Sequence, residues 1–198
     1  MAEHLTQVTL VLASASPRRK ALLAQLGVTF EIVSADIDET VQPNENAEVY
    51  VSRLALGKCQ KVFDTLPEGH VVMGSDTSVV VDKKILGKPQ CKDDAVSMLM
   101  QLSGRWHQVM TAVAIKDSHK TRQIVVTADV EFCTLTQEDC LRYWDTGEPQ
   151  DKAGSYAIQG IGARFVKQIK GSNSAIVGLP VSQVADLLDE FGVEYWQF

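Results

Sequence analysis

Five stretches of this chain hold residue types able to do chemistry. In Val71–Val81 (VVMGSDTSVVV) one carboxylate, Asp76, sits inside an otherwise apolar run. A carboxylate there is costly unless something offsets it, which makes Asp76 the leading candidate for a catalytic or metal-binding group. Gly74 beside it lets the backbone bend or a ligand come close. The alternative is an Asp capping a tight hairpin turn, although the flanking runs are longer than a hairpin needs. Ser14–Arg19 (SASPRR) places Arg18 and Arg19 in the first turn of a helix, where the macrodipole disfavours cations by about 0.3–1 kcal/mol. Two cations beside free backbone N–H groups suit an anion bound at the helix start; otherwise both face solvent.

The remaining three stretches are weaker by themselves. Asp36-Ile37-Asp38-Glu39 follows a strand, where clustered acids either hold magnesium or form a solvated loop. Lys58 is a lone cation in a long helix next to Gly57, and Lys88 is held extended by Pro89. Taken alone, each lysine reads as a surface residue. Asp151–Gly162 (DKAGSYAIQGIG) has three glycines in nine residues, a loop that brings backbone close to a ligand or a plain turn before a strand. Its Gln159 carries paired donor and acceptor atoms suited to a base edge. No GxxxxGK[ST], GxSxG or HExxH occurs, and GxGxxG would need glycine where Phe165 stands.

The elements that must position these groups follow from periodicity. Val8–Ala13 reads as a short buried strand, then Ser16 caps and Pro17 opens a helix over Arg18–Leu26 closed by Gly27. Val28–Ser34 is a second strand, and Ala47–Leu66 a long helix ending near Pro67. His70–Val81 reads as two strand halves interrupted at Gly74–Thr77, and Asp93–Leu102 is helical. Trp106–Lys116 and Gln123–Leu135 form a hairpin; helices follow at Thr136–Thr146 and Val181–Phe191. The expected class is α/β, a mixed twisted sheet flanked by helices, in one domain spanning residues 1–198 or two lobes around a central cleft.

Composition bounds the partners. The 198 residues carry 19 basic and 25 acidic side chains, a net charge of −6, which argues against a nucleic-acid-binding surface but not against a local basic pocket. The four cysteines (Cys59, Cys91, Cys133, Cys140) form no CxxC pair and read as buried thiols of a reducing cytosol. Val8–Leu12 before Ala13-Ser14-Ala15 superficially looks like a leader, but Glu3 and His4 precede it without Lys or Arg, so none is expected. No run approaches about 18 apolar residues, so no membrane span is expected.

Together the segments resemble the Maf family of nucleoside triphosphate pyrophosphatases. The resemblance rests on Leu12–Arg19 (LASASPRR), Asp36–Glu39, Tyr50–Lys58, Gly74–Thr77 (GSDT), Leu86–Pro89 (LGKP), Leu102-Ser103-Gly104, Asp151–Gly160 and Gly178-Leu179-Pro180, in the family's order from end to end. It implies a fold similar to that of inosine triphosphate pyrophosphatases and hydrolysis of a nucleoside triphosphate between its α- and β-phosphates. It also implies a cytoplasmic house-cleaning enzyme, often a homodimer, using Mg2+ or Mn2+. By position, Asp76 matches the proton acceptor that activates water, and Arg18, Glu39, Lys58, Lys88 and Gln159 match active-site positions. Arg19 completes the arginine pair, and Glu39 with Asp76 would hold the metal. Arg18, Thr77 and Gln159 match the trio that separates branches and look like the dTTP/UTP branch rather than the 7-methyl-GTP branch. Asn173 departs from a usual aromatic and Ala112 from a common glycine. The family is also linked to arrest of cell division, so a nucleotide-binding regulator with little turnover stays open.

That chemistry makes physical sense. A triphosphate carries about four negative charges, and cleavage needs cations to offset charge on the leaving pyrophosphate. Arg18, Lys58 and Lys88 with a magnesium ion would supply them, and neighbouring cations are expected to keep Asp76 ionised. A small pocket with Gln159 on the base edge would favour thymine and uracil.

Overall fold

The computed structural model describes residues 8–197; Glu3 and His4, invoked in the leader reading, lie outside them. In chain order the elements are β1 (Thr9–Ala13), α1 (Pro17–Ala24), β2 (Phe30–Ile32), α2 (Ala47–Phe63), β3 (His70–Val81), β4 (Lys84–Leu86) and α3 (Lys92–Leu102). Then come β5 (Trp106–Lys116), β6 (Thr121–Phe132), α4 (Gln137–Trp144), two 3-10 turns (Ala153–Ser155 and Ile161–Phe165), β7 (Val166–Lys170), α5 (Asn173–Val177) and α6 (Val181–Glu190). The fold is α/β, with one mixed sheet of seven strands ordered β2-β1-β3-β5-β6-β7 and β4 paired to β3. β2, β1 and β3 run parallel; β3–β4, β3–β5, β5–β6 and β6–β7 are antiparallel.

The pairing of β3 explains where a site can form. On one edge β5 accompanies it without interruption from Val72 to Val80. On the other edge β1 pairs as far as Gly74 and β4 begins only at Val79. Among the described residues, Ser75–Ser78 therefore have no strand beside them on that edge, at the end of the parallel strands. Open α/β sheets bind ligands at such ends. The expected break in the strand is absent: His70–Val81 is one continuous strand, and Asp76 caps no hairpin turn. Pairing with β5 through Asp76↔Ala112 and Thr77↔Thr111 holds the polar stretch extended.

Alternation along β3 then sorts its side chains onto two faces. Gly74 and Asp76 face α2, which packs on Val11, Ala13, Val72, Ala112 and Ala114. Met73 and Val79 face the opposite layer, where one apolar cluster lies under α1 and α6 and another under α3 and α4. Helix starts match the sequence: Ser16 accepts from the Arg19 amide with Pro17 opening α1, and Thr136 with Asp139 forms a capping box on α4. Boundaries move at β2 and β6, which are shorter at their C-terminal ends than their apolar runs suggest. Cys59 and Cys140 are buried as expected, but Cys91 and Cys133 are exposed. No helix among the described residues is long and apolar enough to cross a membrane.

His107 on β5 ties fold stability to pH. It is 3% exposed, its Nε2 pairs with the Tyr156 hydroxyl at 2.8 Å, and its Nδ1 has no partner among the described residues. Burial, helped by Arg105, pulls its pKa from 6.5 to about 4. Folding thus favours the neutral ring. Its stabilising contribution is complete above pH 6.5 and is lost as pH falls toward 4, a change of about 3 kcal/mol. His107→Gln should therefore flatten the fall in melting temperature across that window; equal slopes in parent and variant would remove His107 as the titrating group.

Candidate active site

A cleft of about 760 Å3 opens over the unpaired edge of β3. Its walls come from the β1–α1 turn, the loop before α2, the α2 surface, the loop after β4 and the segment Asp151–Gln159. All eight residues singled out in the sequence border it: Arg18, Arg19, Glu39, Lys58, Asp76, Thr77, Lys88 and Gln159.

Lys58 is the hub. It is 8% exposed, not a surface residue, because α2 lies tightly on β3. Its Nζ lies 2.7 Å from Asp76 Oδ1 and 2.6 Å from Glu39 Oε1. The closeness has a cause at Gly74. A Cβ there would stand 2.3 Å from the Ala55 carbonyl oxygen and 2.7 Å from the Cys59 nitrogen. Gly74 thus serves neither a bend nor a ligand; it admits the α2 backbone. Glu39 reaches Lys58 from an otherwise exposed acidic loop in which Asp36 and Asp38 face solvent. The Tyr50 hydroxyl donates to the Glu39 carbonyl at 2.9 Å, and Arg53 ties Glu45 and the Thr40 carbonyl to α2.

The two carboxylates are set apart electrostatically. Asp76 is buried, and desolvation lifts its pKa above the ordinary carboxylate value despite Lys58 and Arg19. Lys58 and Arg19 favour the ionised form, as expected, and burial outweighs them. At Glu39 burial also pushes upward, but the Lys58 hydrogen bond and charge win and hold it below its ordinary value. Such separated acidities are how neighbouring carboxylates take different roles.

Arg19 is committed on the other face. Its Nε donates to the Gly178 carbonyl at 3.0 Å and its Nη2 to Thr77 Oγ1 at 3.2 Å. Thr111 Oγ1 donates its only proton to the Ala175 carbonyl at 2.7 Å, so Thr77 must donate across the 2.8 Å contact to Thr111. Proton direction is therefore fixed along Arg19, Thr77, Thr111 and Ala175. Ser75 adds a second donor to Gly178 at 3.1 Å. Thr111 and Ser75 escaped the sequence reading. The available signal was a threonine in apolar β5, visible as Thr77's partner only once register is known.

Arg18 and Lys88 make no ion pair among the described residues, and both border the cleft. They are the cations left for an incoming anion. Glu39 and Asp76 both seat a carboxylate oxygen on the Lys58 ammonium, and as hard oxygen donors they are the residues that could hold Mg2+ or Mn2+ together with phosphate and water. The glycines of Asp151–Gly162 do not open toward a ligand. A Cβ at Gly154 would meet Val79 at 2.8 Å, one at Gly160 would meet Glu148 at 2.3 Å, and one at Gly162 would meet the Tyr143 hydroxyl at 2.5 Å. The loop is packed against protein, with Gln159 exposed at its tip.

Residues 9–191 match the family of Maf-like proteins. The chain belongs to that family. Among its Maf relatives, a protein of Pseudoalteromonas atlantica named dTTP/UTP pyrophosphatase is 51% identical over 94% of this chain and 98% of its own. Another of that name from Vibrio parahaemolyticus is 53% identical over 93% and 97% of the two chains. A solved HAM1 protein from Coxiella burnetii aligns with a TM-score of 0.53 over 93% of this chain and all of its own. At 13% identity that likeness speaks for the fold alone. The Maf departures noted above avoid the cleft chemistry: Asn173 is exposed at the start of α5, and Ala112 is buried under α2.

Proposed function

We propose that this chain hydrolyses dTTP and UTP to the monophosphate and pyrophosphate. The observation that carries this reading is the gathering of buried Asp76, partly exposed Glu39, the cations Arg18, Arg19, Lys58 and Lys88, and Gln159 in one cleft of a chain about half identical to dTTP/UTP pyrophosphatases. Arg18 and Lys88 receive the triphosphate, and Arg19, fixed through Thr77, offsets charge growing on the leaving pyrophosphate. Asp76 accepts a proton from the water that attacks phosphorus, while the oxygen bridging the α- and β-phosphates leaves with the pyrophosphate. A raised pKa makes Asp76 a stronger base than an ordinary carboxylate. Lys58 orients Asp76 and Glu39 through their shared ammonium contact. Glu39 and Asp76 would hold the divalent cation, Mg2+ or Mn2+, which would supply charge neutralisation at the phosphates. Gln159 pairs the base edge. A cytoplasmic homodimer fits this reading.

The test is pyrophosphate release by the purified protein with magnesium. dTTP and UTP should turn over about tenfold or more faster than dGTP, with monophosphate as the other product. Equal or reversed rates move the chain to another branch, and nucleotide binding without pyrophosphate release favours a regulator.

A further inference from the structure

Gln159 is exposed at the tip of a loop, yet both ends of that loop are fixed by two residues outside the cleft. Tyr143, buried on α4, packs its ring edge-on against Phe165 with centroids 5.0 Å apart. Its hydroxyl donates to Glu148 Oε1 at 2.7 Å and accepts from the Ala157 amide at 3.0 Å. Glu148 in turn accepts from the Ile161 amide through Oε2 and from the Gly162 amide through Oε1, both at 2.9 Å. One hydroxyl–carboxylate pair therefore holds the backbone two residues before Gln159 and two and three residues after it.

The glycines fit this arrangement. Gly160 adopts φ 125° and ψ −153°, a conformation effectively reserved for glycine, and any Cβ there would strike the Glu148 carboxylate. Gly162 lies against the Tyr143 hydroxyl and the Ala157 carbonyl, where a Cβ would be 2.5 Å from each oxygen. Glu148 receives three donors; burial pushes its pKa up, but these hydrogen bonds, helped by Lys152, hold it below its ordinary value. A carboxylate so supplied is a charge-assisted anchor, stiffer than a neutral turn.

We infer that Tyr143 and Glu148 are positioning residues that fix Gln159 and so set which nucleobase the cleft accepts. The inference rests on the proposed reading of Gln159 as the group that pairs the base edge. Positioned hydrogen-bonding groups discriminate only when their own geometry is locked by neighbours. Tyr143→Phe keeps the ring against Phe165 and removes only the hydroxyl. It leaves the Ala157 amide unpaired and Glu148 short of one donor.

The experiment has two arms on the full-length protein. In the first, amide exchange of Ala157, Ile161 and Gly162 should accelerate by about tenfold or more in Tyr143→Phe, with Glu148→Gln giving the same sign. Unchanged exchange at these amides overturns the clamp whatever the substrate proves to be. In the second, kcat/KM for dTTP should fall by about tenfold through KM, with kcat nearly preserved, while turnover of dGTP changes little. The preference should fall no further when Tyr143→Phe is added to Gln159→Ala. Equal losses on both nucleotides, or full additivity with Gln159→Ala, would show a merely structural role and overturn the inference. A parent protein with no dTTP preference sinks the proposed function instead, and the exchange arm then stands alone.

Discussion

Asp76→Asn should lower pyrophosphate release from dTTP by about a thousandfold, the middle of the range for loss of a general base, without unfolding the protein. The amide keeps an acceptor for Lys58, and Glu39 at 2.6 Å still neutralises the ammonium. Nucleotide binding measured without divalent metal should be retained or tightened, because a negative charge facing the triphosphate has gone. Stability supplies an independent check. Burial raises the folded pKa of Asp76 above its unfolded value, so the folded state favours the protonated form. The ionised group therefore costs stability at neutral pH, and that cost begins to fall at the raised folded pKa and is gone only below the unfolded value. Asn removes it, so the variant should melt no lower than the parent at neutral pH. Near-parental turnover sinks the base assignment. Lost turnover with a clearly lower melting temperature would instead make Asp76 a structural ion-pair partner.

The sequence disclosed the elements and candidate residues unevenly, for identifiable reasons. Helix starts were legible because caps act locally: Ser16 with Pro17, and Thr136 with Asp139, are complete within four residues. The interruption expected at Gly74–Thr77 does not occur, because polar residues inside an apolar run merely imitate a turn. What keeps them extended is β5, whose partners lie 34 to 40 residues further along the chain. Lys58 looked like a surface cation because nothing near it in sequence is acidic; its partners arrive from a loop and a strand. Arg19 read only as one of two cations for an anion at the helix start, because its partners Gly178 and Thr77 lie 159 and 58 residues away. The clamp on Gln159 was hidden for the same reason. Composition showed flexible glycines, whereas only the folded chain shows what presses against them.

Gly74→Ala should cause the largest loss of stability among single-methyl changes in this site, and the reason links the sheet to the chemistry. The new Cβ would meet the Ala55 carbonyl oxygen at 2.3 Å and the Cys59 nitrogen at 2.7 Å, both helix backbone atoms. Neither can rotate away. α2 must withdraw from β3, and it is anchored there by buried Val51, Ala55, Cys59 and Val62. Overpacking of this kind costs about 3 kcal/mol, which corresponds to a fall of about 10 °C in melting temperature for a chain of this size. Lys58 immediately precedes Cys59, so the same withdrawal lengthens its contact with Asp76 and weakens the orientation of the proposed base. Turnover should drop even well below the melting temperature, through kcat more than KM. Gly87→Ala is the matched control, since a Cβ there meets nothing within 4 Å and should leave the melting temperature unchanged. A Gly74→Ala protein that melts like the parent would mean that α2 can ride outward freely. The close helix–sheet contact would then not be what brings lysine and aspartate together.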